Sequence, residues 1–302
     1  MNELARIDSL ENLVRQYLRS LDIKPRSRDS YHKGLRHFLD YIKLQEIKAP
    51  AREDIRRYKD HLLACYSSAT VSSYLTAVRG FFAFLEGQKL YPNVAAGIKG
   101  AKAPRGFKKA ALTAEQALLT MAAPDRNTLE GKRDYALVNL LVRTGLRTIE
   151  VQRANVEDIQ HEGGAIKLWV QGKGRDSKDE FVILTESTLR PVREYLKDRG
   201  VKDGREPLFM SCSNRNKDGR LTTRSISRIV KTMLQSAGLD DPKITAHSLR
   251  HTAITLSLLG GATLQEAQAM ARHSSITTTQ IYTHNLDRIQ NAAELRIDAL
   301  LG

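Results

Sequence analysis

Residues 246–252 read AHSLRHT, and residues 271–284 read ARHSSITTTQIYTH. In the first stretch His247 and Arg250 are three positions apart, so on a helix they share one face and can reach the same ligand. In the second stretch the pair of serines predicts a turn between two short helices, and Tyr282 follows on the second helix. The two stretches therefore predict polar side chains that face one another across a cleft.

A third stretch, TGLRTIE at residues 144–150, adds Arg147. Together the three stretches supply the groups that an attack on a phosphodiester needs: a nucleophile that can hold a phosphoryl group, fixed cations for the equatorial oxygens, and imidazoles that move protons. Arg147 also has a purely structural interpretation. Glu150 follows one turn later, and a buried ion pair between the two side chains would stabilise the core without any chemistry.

These stretches resemble the motifs of the tyrosine recombinase (phage-integrase) family, and most closely those of its short Xer-type and mobile-element members. TGLRTIE resembles the first arginine box, GKG at 172–174 the β-hairpin lysine, HSLRH the His-x-x-Arg box, and RHSSITTTQIYTH the terminal box with the nucleophile. Four motifs in the family's order make the resemblance specific, and it covers nearly the whole chain. One departure is Ala271-Arg272, where many relatives have Leu-Gly.

The resemblance implies an enzyme that cuts and rejoins DNA strands through a 3′-phosphotyrosyl intermediate, with no metal, ATP or other cofactor. Arg147 and Arg250 would bind the nonbridging phosphate oxygens. Tyr282 would attack, and because the unperturbed pKa of a tyrosine is about 10, it would need help from His247. His273 would hydrogen-bond a phosphate oxygen.

The one strand-rich stretch predicts a β-hairpin. AIKLWV at 165–170 and EFVILT at 180–185 are β-branched and aromatic runs, and the glycines and aspartates between them suit a turn. Lys173 lies near the tip, and the resemblance makes it the general acid that protonates the leaving 5′ oxygen. Lys178 is the nearest competitor, and we assign the role to Lys173 because it occupies the GKG position.

His251 lies four residues after His247, a spacing that also suits two metal ligands. No cysteine or acidic third ligand has a suggestive spacing, and a cation beside Arg250 would be repelled, so the sequence disfavours a metal site. The HxLRH pattern of the resemblance favours a packing or supporting role for His251.

Composition independently favours a nucleic-acid partner. The chain of 302 residues has 48 Lys and Arg against 34 Asp and Glu, a net charge of +14 and a pI near 9.8, as expected of a protein that binds a phosphate backbone. A merely soluble basic surface is the alternative. There is no run of about 18 apolar residues and no apolar signal segment, which predicts a cytoplasmic protein without membrane insertion. Cys65 and Cys212 are too few for a disulfide framework or a metal cluster.

The length predicts about two domains. Residues 1–96 carry four amphipathic patterns that predict a small helical bundle, and the resemblance implies that this bundle is a SAM-like core-binding domain. Residues 97–111 are expected to be a basic linker, and residues 112–302 a mixed α/β catalytic domain with a tail helix at 284–302. The expected fold is mainly α with a small β-hairpin or sheet, arranged as a two-domain, C-shaped clamp on DNA. The candidate DNA-binding side chains are Arg79, Lys99, Lys102, Arg105, Lys108 and Lys109.

An apolar stripe in the tail needs a partner, either its own domain or a neighbouring protomer; its members are Leu286, Ile289, Ala293, Ile297 and Leu300. The resemblance favours exchange of the tail around a homo-tetramer on two double-stranded DNA sites, with or without a paralogous recombinase or accessory proteins. Two other functions stay open. A type IB-like topoisomerase uses a similar constellation without joining two duplexes, and a non-catalytic DNA-binding regulator would have no use for Tyr282.

Overall fold

The structure is a computed structural model that describes residues 7–102, 110–172, 174–290 and 293–301. The chain divides into two compact units, Met1–Arg105 and Gly106–Gly302. It is mostly helical with one small antiparallel sheet, as the sequence predicts.

Four helices form the first unit: α1 (Ile7–Ser20), α2 (Pro25–Leu44), α3 (Arg52–Cys65) and α4 (Ser68–Gly87). Their apolar faces meet in a core that includes Leu35, Phe38 and Ile55, all fully buried. Gly34 permits the close approach of α2 to α4, because a Cβ there would lie 3.1 Å from the Cα of Tyr74. The first unit is thus a small helical bundle.

The second unit contains nine α-helices, two short 3₁₀ helices (Val156–Asp158 and Asn214–Asn216) and three strands in the described part of the chain. The helices are α5 (Ala114–Ala122), α6 (Leu129–Thr144), α7 (Thr148–Arg153), α8 (Glu186–Arg199), α9 (Thr223–Ser236), α10 (Ala246–Leu259), α11 (Leu264–Ala271), α12 (Ile276–Gln290) and α13 (Ala293–Leu301). The apolar sequence of α6 leads to burial on most of its faces, and it packs against α8 and α10. Leu137 and Leu249 both belong to the resulting core.

The strands β1 (Ile159–Glu162), β2 (Ala165–Val170) and β3 (Glu180–Ile183) form an antiparallel sheet in that order. The β2–β3 hairpin is confirmed, with Leu168 opposite Val182 and both side chains buried. Strand β1 was not predicted from the sequence. It has only four residues, three of them polar, and its pairing with β2 gives it its conformation.

The turn after α6 lies between α6, α7 and α10. Gly145 ends α6 with a φ of +62°, a left-handed conformation that glycine adopts without strain. A Cβ at this position would lie 3.3 Å from the Cβ of Ala253 on α10. The turn and α10 are therefore in close contact, and the next residues, Leu146 and Arg147, lead into α7.

The described residues of the predicted tail at 284–302 are helical. Tyr282 lies within α12, which is described up to Gln290, and α13 covers Ala293–Leu301. Ile297, Leu300 and Leu301 of α13 are exposed. The side chains of the other members of the apolar stripe, Leu286, Ile289 and Ala293, lie outside the described residues. In the described part of the chain, no helix combines the length and the apolar character needed to cross a membrane.

Candidate active site

Arg147 is fixed by its position at the start of α7. Its backbone N–H donates to Oε2 of Glu150 at 2.7 Å, and its Nη1 donates to Oε1 of the same carboxylate at 2.8 Å. Glu150 is fully buried, whereas the side chain of Arg147 is 27% exposed. The ion pair that the structural interpretation predicted is thus present, and the guanidinium still reaches solvent.

Arg250 projects from α10 and is almost completely buried, with 2% of its surface exposed. Its Nη1 donates to the carbonyl of Gly145 at 2.5 Å, and its Nη2 donates to the carbonyl of Ala271. Burial lowers the pKa of Arg250 to about 9, and Arg147 and Arg272 act in the same direction. The group still carries its charge at neutral pH, and two backbone carbonyls fix its direction.

Tyr282 lies on α12 with its ring buried against Ile254 and Ala271. Burial raises the pKa of Tyr282 to about 12, although the positive charges of Arg250 and Arg147 lower it. The phenol is therefore protonated at neutral pH, and two guanidiniums are close enough to stabilise its anion.

His251 contacts the hydroxyl of Tyr282, with 2.5 Å between Nδ1 and Oη. Burial lowers the pKa of His251 to about 4, with His247 and Arg250 acting in the same direction, so the ring is neutral at neutral pH. A protonated phenol can donate this bond to a neutral imidazole. From the sequence, His251 had only a packing or supporting role, yet the same HSLRH motif holds the signal, since His251 follows Arg250 directly.

His247 lies one turn before His251 on α10, and the two rings are perpendicular with centroids 4.6 Å apart. Among the described residues, no group of three or more His, Cys, Asp or Glu side chains could hold a metal ion. His247 contacts His251, and His251 contacts the hydroxyl of Tyr282, so His247 belongs to the same cluster as the proposed nucleophile.

His273 follows α11 and faces the same cluster. Its ring stacks on that of Tyr282 at 6.4 Å between centroids, and its Nδ1 hydrogen-bonds Oγ1 of Thr279 at 2.9 Å. Burial lowers the pKa of His273 to about 4, and Arg250 and Arg147 act in the same direction. His273 is thus a neutral hydrogen-bonding group beside the tyrosine and two cations.

Arg272 is a member of this cluster that was not selected from the sequence. Its Nη2 donates to Oε2 of Glu150 at 2.8 Å, and its side chain is only 3% exposed. The feature of the sequence that pointed to Arg272 was the departure at Ala271-Arg272, where many members of the resembled family have Leu-Gly. Sequence alone did not show that this side chain turns inward.

The predicted general acid, Lys173, lies outside the described residues. Its competitor Lys178 is engaged elsewhere: its Nζ donates to both oxygens of the buried Asp158 at 2.8 and 2.6 Å. This contact holds Lys178 in a structural ion pair, which favours the assignment of the acid role to Lys173.

The predicted DNA-binding residues in the first unit fall into two groups. Arg79 is half-buried and donates to the carbonyl of Ile98 and to Oγ1 of Thr76, both at 3.0 Å. Lys99 and Lys102 are exposed. The remaining candidates, Arg105, Lys108 and Lys109, lie outside the described residues.

An open cavity of about 1170 Å³ borders this cluster within the second unit. Arg143, Arg147, Arg272 and His273 line its wall. The guanidiniums on this wall can bind an anion. Tyr282, with the neutral imidazole of His251 on its hydroxyl, is buried beside His273 and does not itself line the cavity.

The sequence model of the phage integrase family matches residues 110–288, and the model of the phage integrase N-terminal SAM-like domain matches residues 14–89. The chain belongs to the phage integrase family, whose members are the tyrosine-type site-specific recombinases. Tyrosine recombinase XerC of Myxococcus xanthus is 32% identical over 254 residues, covering 82% of each chain. Tyrosine recombinase XerC of Chlamydia muridarum is 33% identical over 235 residues, covering 77% of this chain and 72% of the relative.

Solved structures show the same fold. A XerH site-specific recombinase bound to a palindromic difH substrate has a TM-score of 0.74 at 22% identity, and covers 96% of this chain and 85% of that chain. A lambda integrase dimer bound to a COC′ core site has a TM-score of 0.71 at 18% identity, and covers 89% of this chain and 96% of that chain.

Proposed function

We propose that this recombinase cuts and rejoins double-stranded DNA at specific sites through a 3′-phosphotyrosyl intermediate on Tyr282. One observation carries the proposal: the hydroxyl of Tyr282 contacts a neutral His251 at 2.5 Å and lies beside the buried charge of Arg250, all within one unit. A tyrosine buried only for packing would gain nothing from fixed guanidiniums that stabilise its anion. A tyrosine that attacks phosphate needs them.

The proposed reaction follows from these contacts. Arg147 and Arg250 bind the nonbridging oxygens of the phosphodiester and stabilise the charge that develops as Tyr282 attacks. The phenol loses its proton to the imidazole of His251, and Oη forms a bond to phosphorus. The bond from phosphorus to the 5′ oxygen breaks, and Lys173 supplies the proton to that oxygen. Attack by a 5′ hydroxyl reverses these steps and rejoins a strand, so the reaction consumes no ATP.

The DNA partner and the assembly are part of the same proposal. One structural neighbour is a XerH recombinase on difH substrate, and another is a lambda integrase tetramer on a Holliday junction. We therefore assign to this chain a double-stranded recombination site and a homo-tetramer on two such sites in the cytoplasm. Lys99 and Lys102, exposed at the end of the first unit, supply positive charge for the DNA backbone.

Covalent capture from a pool of many sequences tests the chemistry and finds the target in one step. The full chain is incubated with a library of random-sequence duplexes that carry a nick, so that the short strand released by cleavage diffuses away. Complexes that survive SDS are recovered and sequenced. We expect wild type to retain an adduct at Tyr282, identified by mass spectrometry, and Tyr282→Phe to retain none.

The recovered duplexes then separate the three candidate functions. Exchange of strands between two labelled duplexes identifies a recombinase, whereas adduct formation with relaxation of supercoils and no exchange identifies a type IB-like topoisomerase. Tight binding with no adduct on any duplex identifies a regulator and overturns the proposal. The recovered sequence, compared with chromosomal and mobile-element junctions, distinguishes dimer resolution from integration or excision.

A further inference from the structure

Arg272 has a backbone conformation that an arginine adopts at a cost. Its φ is +54°, in the left-handed region that favours glycine, and it directly follows α11 as the cap residue. Its side chain is nonetheless turned inward and is 3% exposed. Its Nε is buried and has no hydrogen-bond partner among the described residues. Strain of this kind persists where the residue has a function that glycine cannot supply.

The contacts of Arg272 point to Glu150. Nη2 of Arg272 donates to Oε2 of Glu150 at 2.8 Å, and Nη1 donates to the carbonyl of Met270 at 2.6 Å. Arg147 occupies the other carboxylate oxygen and also donates its backbone N–H to Oε2. The buried carboxylate of Glu150 is thus shared by two guanidiniums, one from the TGLRTIE motif and one from the ARHSSITTTQIYTH motif.

The role of the Arg272 guanidinium follows from the net charge of the cluster. Burial alone would raise the pKa of Glu150, but Arg272 and then Arg147 more than offset this effect and lower it, so the carboxylate is ionised. With Arg147 as its only partner, Glu150 would cancel the charge that the phosphate needs. With Arg272 present, the three guanidiniums of Arg147, Arg250 and Arg272 stand against one carboxylate, which leaves two positive charges. A phosphodiester carries one negative charge, and the pentacoordinate species formed by attack of a phenolate carries two.

We infer that Arg272 is a positioning residue of the cleavage reaction, which compensates the charge of Glu150 and so leaves the guanidinium of Arg147 available to the DNA phosphate. This inference rests on the proposed function, since it concerns the same reaction. Because the benefit is largest when the second negative charge develops, Arg272 contributes to the rate of cleavage more than to the affinity for DNA.

Three variants test the inference in single-turnover cleavage of a nicked duplex at saturating protein, with the dissociation constant measured separately. Arg272→Met keeps the length and removes the charge, and we expect its cleavage rate to fall at least tenfold while its DNA affinity stays within threefold of wild type. Arg272→Lys keeps the positive charge and loses the planar guanidinium group. Its cleavage rate should lie between that of wild type and that of Arg272→Met. In the double variant Arg272→Met with Glu150→Gln, the cluster regains its two positive charges, and we expect faster cleavage than in Arg272→Met.

The double variant separates the charge from a structural role. If Arg272 only held the fold together, removal of its partner Glu150 would damage the site further and slow the reaction again. Cleavage by Arg272→Met within twofold of wild type, equal loss in the Lys and Met variants, or a double variant no faster than Arg272→Met would each overturn the inference. Lys89→Met is the matched control, since Lys89 also has a left-handed φ, of +56°, and lies in the first unit. A wild-type protein that forms no adduct on any duplex would instead overturn the proposed function.

Discussion

The contact between His251 and Tyr282 leads to a sharp prediction about which histidine serves the nucleophile. His251→Phe keeps an aromatic ring in the buried site but removes Nδ1, which lies 2.5 Å from the phenol oxygen. The loss of one hydrogen bond at a buried hydroxyl should lower the free energy of unfolding by about 1–3 kcal/mol. The loss of a proton acceptor in the transition state should lower the cleavage rate by about 10² to 10⁴.

Single-turnover cleavage of a nicked duplex measures the rate, and thermal or urea unfolding measures the stability. The control is His247→Phe, which changes the neighbouring ring on the same helix and leaves Nδ1 of His251 in place. If His251 accepts the proton, His251→Phe is the slower of the two variants. Cleavage by His251→Phe at the wild-type rate would refute the reasoning, and a larger defect in His247→Phe would return the role to the residue that the sequence resemblance selects.

Three further predictions concern stability and the choice of lysine. Because the pKa of His251 is about 4 in the folded protein and about 6.5 when unfolded, the unfolded state binds more protons as the pH falls from 6.5 to 4, and His251 alone should lower the free energy of unfolding by roughly 3 kcal/mol over that range. His273, whose pKa is also about 4 in the folded protein, acts in the same direction. Urea titrations at several pH values should therefore show a drop that is smaller by roughly 3 kcal/mol in His251→Phe than in wild type. Gly145→Ala places a Cβ at a φ of +62° and should cost about 1–2 kcal/mol; a denaturation midpoint equal to wild type would contradict it. Lys178→Met removes the partner of the buried Asp158 and should lower the free energy of unfolding by about 2 kcal/mol, with the cleavage rate retained. Lys173→Met should have the opposite effect: it should abolish cleavage and leave the free energy of unfolding unchanged.

The sequence predicted those features of the site that short-range geometry determines. The i, i+3 spacing in AHSLRHT predicted one helix face for His247 and Arg250, and both residues lie on α10. The Arg147–Glu150 pair also follows from spacing along the chain. In these cases the interacting groups are neighbours in sequence, so local rules suffice.

The features that could not be predicted from the sequence depend on long-range contacts. The bond from His251 to Tyr282 joins positions on α10 and α12, and the bond from Arg272 to Glu150 joins the end of α11 to α7. The strand β1 has no sequence pattern of its own and forms because β2 offers it an edge. Such pairings depend on how the helices pack, which the periodicity of a single segment does not contain.

The two carbonyls that hold Arg250 have a consequence for how the enzyme loses activity. They belong to Gly145 after α6 and to Ala271 at the end of α11, both buried, so a single buried side chain joins two turns that are remote in sequence. Local opening of either turn releases one arm of the guanidinium and makes it mobile while the rest of the molecule stays folded. Competence for strand cleavage is therefore set by the weaker of these two turns, and inactivation on warming should precede the melting of the hydrophobic core.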